Sequence, residues 1–500
     1  MTSAARRVRS RWSAAVSGAM LWGALCAAPP AAWADPPPEP APAAPPATPA
    51  SKENEDLELI PPPAQATPGA AGTAAARGAG AQRLYAENAL TVDSLRGDLL
   101  VPAPPPPPFN WQERLFLDAR EQWSAGDAVH FALSDRLNLR AENDLSFPTQ
   151  ENLINDLREL YVSFELATRT YLDAGRINMK NGVALGYNPT DYFKTRAVVE
   201  PLSADPTVLR EDRLGTVMVR AERIWEAGTL SAAFAPKLED PSPIYTNLDL
   251  PSFDPTLDRT NAANRALVKG SLNLAPDFNP EILLYREGAS TQLGANLTAS
   301  LGQRVVAYLE WSGGRQPPLT AQALAFGRET GTLPANAPDP FAESTGSSFQ
   351  NQLAIGASCT LGRSVTLNLE YHGNTAGFSG ADWNQWFALG AGRSPHDPLA
   401  QELWYLREYA LDQQQLASRH ALFLRADWVD AFVPKLELTA LADADLHDDG
   451  SALVQFAAQY YPADKWTIGA ELIGYLGARH SDFGSVPVAG SVLVSVARYF

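Results

Sequence analysis

The 500-residue chain has two cysteines and six histidines, and beyond its first thirty residues it has no apolar run long enough to cross a membrane as a helix. Cys26 falls within the N-terminal leader described below. With the leader removed only Cys359 remains, and no internal disulfide is expected. His130, His372, His396, His420, His447 and His480 fit no HExxH pattern, and CxxC is missing, so neither a metal site nor a cofactor is expected. The acidic run DADLHDDG (443–450) lacks the ligand spacing of a calcium loop. Ser418 and His420 stand two apart, which on a strand places them on one face without the hydrogen-bond reach that a nucleophile and base need, and no nucleophile motif surrounds Ser418. No enzymatic activity is expected. Lys and Arg number 39 against 56 Asp and Glu, and the net charge of −17 argues against nucleic acid as a partner.

The chain opens with Arg6, Arg7, Arg9 and Arg11, an apolar stretch from about Ala14 to Ala28, and the small-residue site Ala32-Trp33-Ala34 before Asp35. This order predicts a secretory signal peptide over 1–34. A secreted chain of this size with no helical span is either soluble or crosses a membrane as a barrel, because only helices and closed barrels satisfy every backbone group in lipid.

Residues 35–108 are rich in proline and alanine, as in DPPPEPAPAAPPATPA and VPAPPPPP. Such a composition buries too little apolar surface to offset its ordering entropy, which predicts a disordered periplasmic arm. Two stretches interrupt it, KENEDLELI (52–60) and QRLYAENALTVDSLRGDLL (82–100), either of which could be a transient helix, a partner-binding motif or a plug.

From 109 to 500 the texture becomes alternation. In QLGANLTASL, Leu293, Ala295, Leu297, Ala299 and Leu301 share one face and Gln292, Asn296, Thr298 and Ser300 the other. RVVAYLEWS, QLAIGASCT and SVTLNLEYH repeat the pattern. Period two in segments of about ten residues predicts an all-β, antiparallel transmembrane β-barrel. Very short connections such as 125–127, 301–303 and 462–465 alternate with long ones at 143–156, 178–212, 237–263, 314–347 and 374–416. This two-sided asymmetry fits short periplasmic turns and long outer loops in the outer membrane of a Gram-negative bacterium. Seventeen strand candidates run from 113–124 to 489–500. Closed bacterial barrels favour even numbers, so sixteen to eighteen strands are expected. Counting back from an inward-running last strand requires either one strand before 113–124, for which only 83–100 has strand-like content, or the loss of one candidate; the proline run at 104–108 would have to cross outside, so sixteen is preferred, with 279–287 dropped as the weakest.

On this alternation Arg136, Asn138, Arg140 and Glu142 face the lumen from one strand, and Glu165 from the next. Arg220, Glu222, Glu310, Glu370, Arg425, Asp427, Glu437, Asp443 and Glu471 continue around the wall. Both charge signs are present, so the interior is either a water-filled passage or a barrel of mutually satisfied charges.

YLDAGRINMKNGVALGYNPTDYFKTRAVVE (171–200), with Gly175, Gly182, Gly186 and then Asn188-Pro189-Thr190-Asp191, is the most distinctive stretch. With REDRLGTVMVRAER (210–223) it resembles the "GRQ…G…NP.D" segment of proteobacterial outer-membrane barrels, including porin-like and alginate-export-like families. Asn181-Gly182 here replaces the aromatic-Gly pair usual after the GR motif. The resemblance implies a loop at or folded into the pore, with Arg176, Lys180, Lys194 and Arg196 near a constriction. Resembling outer-membrane proteins also end in an aromatic residue read by the assembly machinery, which implies that role for Phe500.

In loop 374–416, Asp397 and Pro398 suit a helix start, and Leu399, Leu403, Leu406 and Ala410 follow at helical spacing. This helix is expected to pack on the barrel rim rather than lid the mouth. The function expected is a porin-like channel for passive diffusion of a small polar or charged solute. The alternative is a structural or interaction barrel whose Pro-rich arm binds a periplasmic or cell-wall partner. Outer-membrane lipid is the expected surroundings of either.

Overall fold

The computed structural model describes residues 83–104, 110–142, 153–198, 203–244, 253–275, 278–341, 346–362, 364–447 and 450–500. The signal peptide predicted over 1–34 and the arm predicted from 35 onward lie, up to residue 82, outside the described residues.

Eighteen antiparallel strands form one closed sheet. The first five are β1 (Arg83–Leu95), β2 (Trp111–Ser124), β3 (Val129–Glu142), β4 (Leu153–Ala167) and β5 (Thr170–Ile177). β6 (Thr216–Trp225), β7 (Gly228–Ala235), β8 (Arg265–Leu272) and β9 (Glu281–Glu287) follow. Then come β10 (Ser290–Leu301), β11 (Val305–Gln316), β12 (Ser348–Leu361) and β13 (Val365–Asn374). β14 (His420–Trp428), β15 (Leu436–Asp445), β16 (Ala452–Ala463), β17 (Trp466–Leu476) and β18 (Val488–Tyr499) complete the wall. Each strand pairs with its neighbour in sequence, and β1 closes the ring between β18 and β2.

Parity sets the two faces. Leu293, Leu297 and Leu301 on β10 stand outward and exposed, while Asn296 between them is fully buried in the interior. Outer rows on the other strands are equally apolar, with Ile355, Leu424, Phe456, Leu472, Val492 and Val494 all exposed. Aromatic residues mark both edges. Trp123, Trp225, Trp428, Tyr460 and Trp466 line the rim of short turns, and Trp111 and Phe349 the opposite rim. An apolar band between aromatic girdles is what a lipid bilayer requires of a barrel.

Two expectations are corrected here. The barrel begins at Arg83 rather than at 109, because RLYAENALTVDSL is a full strand, registered from Tyr85–Tyr499 to Leu95–Val488 on one side. Its outer row of Leu84, Ala86, Leu90 and Val92 is apolar apart from Asn88 at its middle. The preference for sixteen strands fails because β1 exists and 279–287 is a true strand, β9. The connection from β1 to β2 therefore crosses the long-loop rim.

Among the described residues, five α-helices lie in connections between strands: α1 (Pro206–Glu211), α2 (Leu257–Thr260), α3 (Leu319–Glu329), α4 (Gly380–Gly390) and α5 (Pro398–Asp412). α1 is inside the barrel and the others are at the long-loop rim. None is long and apolar enough to cross a membrane.

Candidate functional site: a segment held across the lumen

Residues 178–198 and 203–215, between β5 and β6, fold into the interior. Apart from an isolated bridge between Val198 and Arg213, their backbone has no sheet partner, so its amides need acceptors. The wall supplies them. Glu310 on β11 accepts from the amides of Val183, Ala184 and Thr190 at 2.9, 3.1 and 2.7 Å, and from the Thr190 hydroxyl at 2.9 Å. Glu370 on β13 accepts from Leu185 and Gly186 at 2.6 and 2.9 Å, and is braced by Tyr308 Oη and His372 Nε2, each at 2.7 Å. Both carboxylates are fully buried. Gly182 has φ of 93° and passes so close that a Cβ there would lie 2.5 Å from Glu310 Oε2. Only glycine fits such an approach.

Further along, Asp191 and Arg213 form a buried pair at 2.8 Å, and Arg213 also donates to Asn178 Oδ1 and the Met179 carbonyl. Lys194 donates to the Asn188 carbonyl at 2.7 Å and lies over the Tyr187 ring. The chain then meets Gln455 of β16, which bonds Ser203 and the Ala204 amide, each at 2.8 Å. Arg425 of β14 pairs with Asp205, the N-cap of α1, at 3.0 Å. Beyond α1, Asp212 receives Arg136 of β3 at 3.0 Å and Arg158 of β4 at 2.9 Å. Those two arginines share Asp118 of β2 as well. The segment thus touches β11 and β13, then β14 and β16, then β3 and β4, which spans the lumen.

One side of the segment is greasy. Met179, Tyr192 and Phe193 pack on inward residues Met218, Ala233, Ala235, Leu267, Leu283 and Tyr285, with Tyr192 stacked on Tyr285 at 4.3 Å between ring centres. The sequence signal for this patch was β9, EILLYRE, which is apolar on both faces over its central residues.

The long-loop mouth is covered. α3, α4 and α5 share an apolar core that includes Leu324, Phe378, Trp383, Trp386, Leu403 and Trp404, and Val101 from the β1–β2 connection joins it. Asp397 caps α5 through the Leu399 amide at 2.9 Å, as its sequence implied. The rim-packing expectation is corrected, because α5 leaves its own hairpin for the β17–β18 and β1–β2 connections and for the segment inside the lumen. Trp404 donates to the Pro102 carbonyl at 2.9 Å, and Arg407, flanked by three tryptophan rings, pairs with Asp482 at 2.7 Å. Its C-terminal end grips the lumen segment through Asp412–Arg196 at 3.0 Å and Gln415–Tyr187 at 3.0 Å. Burial raises the Asp412 carboxyl, with Arg196 and Arg259 opposing the rise. Glu402 on α5 is buried with one carboxylate oxygen unpartnered, and burial pushes it up to about 7.

Of the residues expected at the pore, Glu310, Glu370, Arg136 and Arg425 lie on inward rows and hold the segment. Glu142, accepting from Gln112 at 2.8 Å, and buried Arg140 lie inward near the mouth. Arg220 pairs with Asp173, Glu222 is buried beside them on the same row, and Glu165 is inward near the short-turn rim. Asp427 pairs with Arg425, and Lys180 pairs with Glu211 within the segment. Arg176 departs from expectation. It sits on the outer row, opposite Leu160 and Val217, and donates to the Gly215 and Pro255 carbonyls, so it ties the loop of α2 to the wall rather than narrowing the pore. Asp191, noted in the sequence only as part of its Asn-Pro-Thr-Asp motif, holds the segment too, as do Arg213, Asp212 and Arg158, which were not singled out, since no periodicity marks residues that pair across a lumen.

The chain matches no family model and no curated protein. Its backbone is similar to that of OccK5 (OpdH) of Pseudomonas aeruginosa, with a TM-score of 0.46 and 10% identity over 84% of this chain and 97% of that one. OccD3 (OpdP) of the same organism gives 0.44 and 11%, over 85% and 91%. A triple mutant of the Rhodopseudomonas blastica porin gives 0.37 and 11%, over 84% and 100%. Closure, the apolar outer rows and the aromatic girdles define a transmembrane β-barrel of the kind found in the Gram-negative outer membrane.

Proposed function

We propose that the protein is a channel through which small polar or charged solutes diffuse passively, narrowed by residues 178–215. The observation that carries this reading is an 18-strand closure with charged inward rows, since barrels of sixteen to eighteen strands are too wide for side chains alone to fill and leave an aqueous passage. Arg136, Arg140, Glu142, Glu165, Lys180, Arg220, Glu222 and Asp427 would border that passage, with Glu310, Glu370 and Arg425 fixing its narrowest part. The chemistry needs no covalent step. Assembly through the terminal aromatic Phe500 belongs to the same reading.

A second reading draws support from the covered mouth and the segment's many wall contacts: a closed barrel whose Pro-rich arm binds a periplasmic or cell-wall partner. Recording purified protein in planar bilayers separates the two. Discrete conductance steps are expected; their absence in every lipid composition tested leaves the interaction barrel.

A further inference from the structure

Among the described residues, polar side chains on the outer rows lie within four residues of a strand end, as Arg223, Asn351, His420 and Arg498 do, except on one wall. Asp135 sits at the middle of β3, between Leu133 and Leu137. The register fixes its direction, because Asp135 pairs with Ala119 and Leu137 with exposed Leu117, whereas Arg136 pairs with Asp118 in the lumen. Asn155 on β4 donates to both oxygens of Asp135, at 2.9 and 3.0 Å. On the same wall, Asn88 at the middle of β1 donates to Glu113 of β2 at 3.1 Å. Leu115, Leu117 and Leu160, all exposed, surround these pairs.

A carboxylate at mid-height in a lipid-facing row is costly and offers acceptor sites that acyl chains cannot fill. Polar groups in a bilayer are satisfied by protein, where they join one wall to another. Two copies of a barrel inserted the same way are related by an axis along the membrane normal, so each residue meets residues at its own height. Asp135 and Asn155 present an acceptor and a donor side by side at one height. That arrangement complements itself across a two-fold axis.

We propose that the β1–β4 wall is a dimer interface between two copies of this chain, with Asp135 and Asn155 at its centre exchanging hydrogen bonds across a two-fold axis along the membrane normal. The interface depends on placement in the membrane and not on conduction, so it stands or falls apart from the channel reading.

The test places a photoreactive benzophenone side chain at Leu137 in full-length protein assembled in outer membranes. A crosslinked band at twice the chain mass is expected, with none when the same group replaces Leu424 on a distant wall. Asp135→Leu with Asn155→Leu is expected to lower the dimer yield roughly tenfold, the effect of about 1.4 kcal/mol, while heat-modifiable migration still reports a folded barrel. Leu117→Trp, which bulks the wall without touching either polar pair, is expected to lower it as well. Crosslinks to lipid alone, a ladder at three chain masses, or a dimer whose yield survives the double variant would overturn the proposal.

Discussion

The hairpins from β10 to β13 and the segment 178–215 lie against each other, joined through Glu310 and Glu370 of the wall, yet the two fold by different rules. Along β10–β13 each residue's face follows from parity, and lipid outside selects leucine, valine and alanine at every second position. The segment has no period. Its path is set by backbone amides seeking wall carboxylates and by buried pairs such as Asp191–Arg213. Period-two alternation therefore reports on the lipid side of a barrel, and says little about whether the inward charges face water or one another.

The two regions should respond differently to change, and the largest effect comes first. Deleting 83–95 removes the strand that closes β18 onto β2 and should abolish the folded, heat-modifiable barrel. Deleting only 36–82 should leave it intact, and a loss there would show that part of the arm is structural. Arg213→Leu leaves Asp191 buried without its partner, and breaking such a pair costs about 3–5 kcal/mol. The barrel should still form, while residues 178–215 become open to protease; unchanged digestion would mean that the pair does not hold the segment.

On the lipid side, Ile355→Arg at the middle of β12 should destabilise the barrel by about 2–4 kcal/mol in urea titrations, with no change in protection of the segment. The smallest effect concerns the cap. Glu402 holds its proton more tightly in the folded protein, up to about 7 from an ordinary 4.5, so its burial costs nothing below the lower value. Cap stability should fall as pH rises through that window, by at most roughly 3 kcal/mol, and stay level above it. Amide exchange in α5 should show this fall, and Glu402→Gln should remove it.

Much of the wall was legible in the sequence. The candidates from 113–124 to 489–500 all correspond to strands, and Asp397-Pro398 marked the start of α5. β1 lies in the one upstream stretch with strand-like content, 83–100, and was set aside because the proline run at 104–108 would have to cross outside; its pairing with both β18 and β2 leaves no local signal. Glu310 and Glu370 were rightly read as inward, but as bordering water, because alternation cannot show that a loop 120 or more residues upstream will supply their donors. Arg176 was misplaced through its GR motif. Its neighbours Asp173 and Gly175 take the inward row, which leaves Arg176 on the outer one.

The most direct measurement is single-channel conductance of the wild-type protein beside a Glu310→Gln, Glu370→Gln variant. Neutral amides cannot hold the five backbone donors of residues 183–190 as the two carboxylates do. The variant should conduct several-fold more per step, with unchanged heat-modifiable migration. Equal conductance in the two proteins would contradict a lumen narrowed by a segment held on these carboxylates.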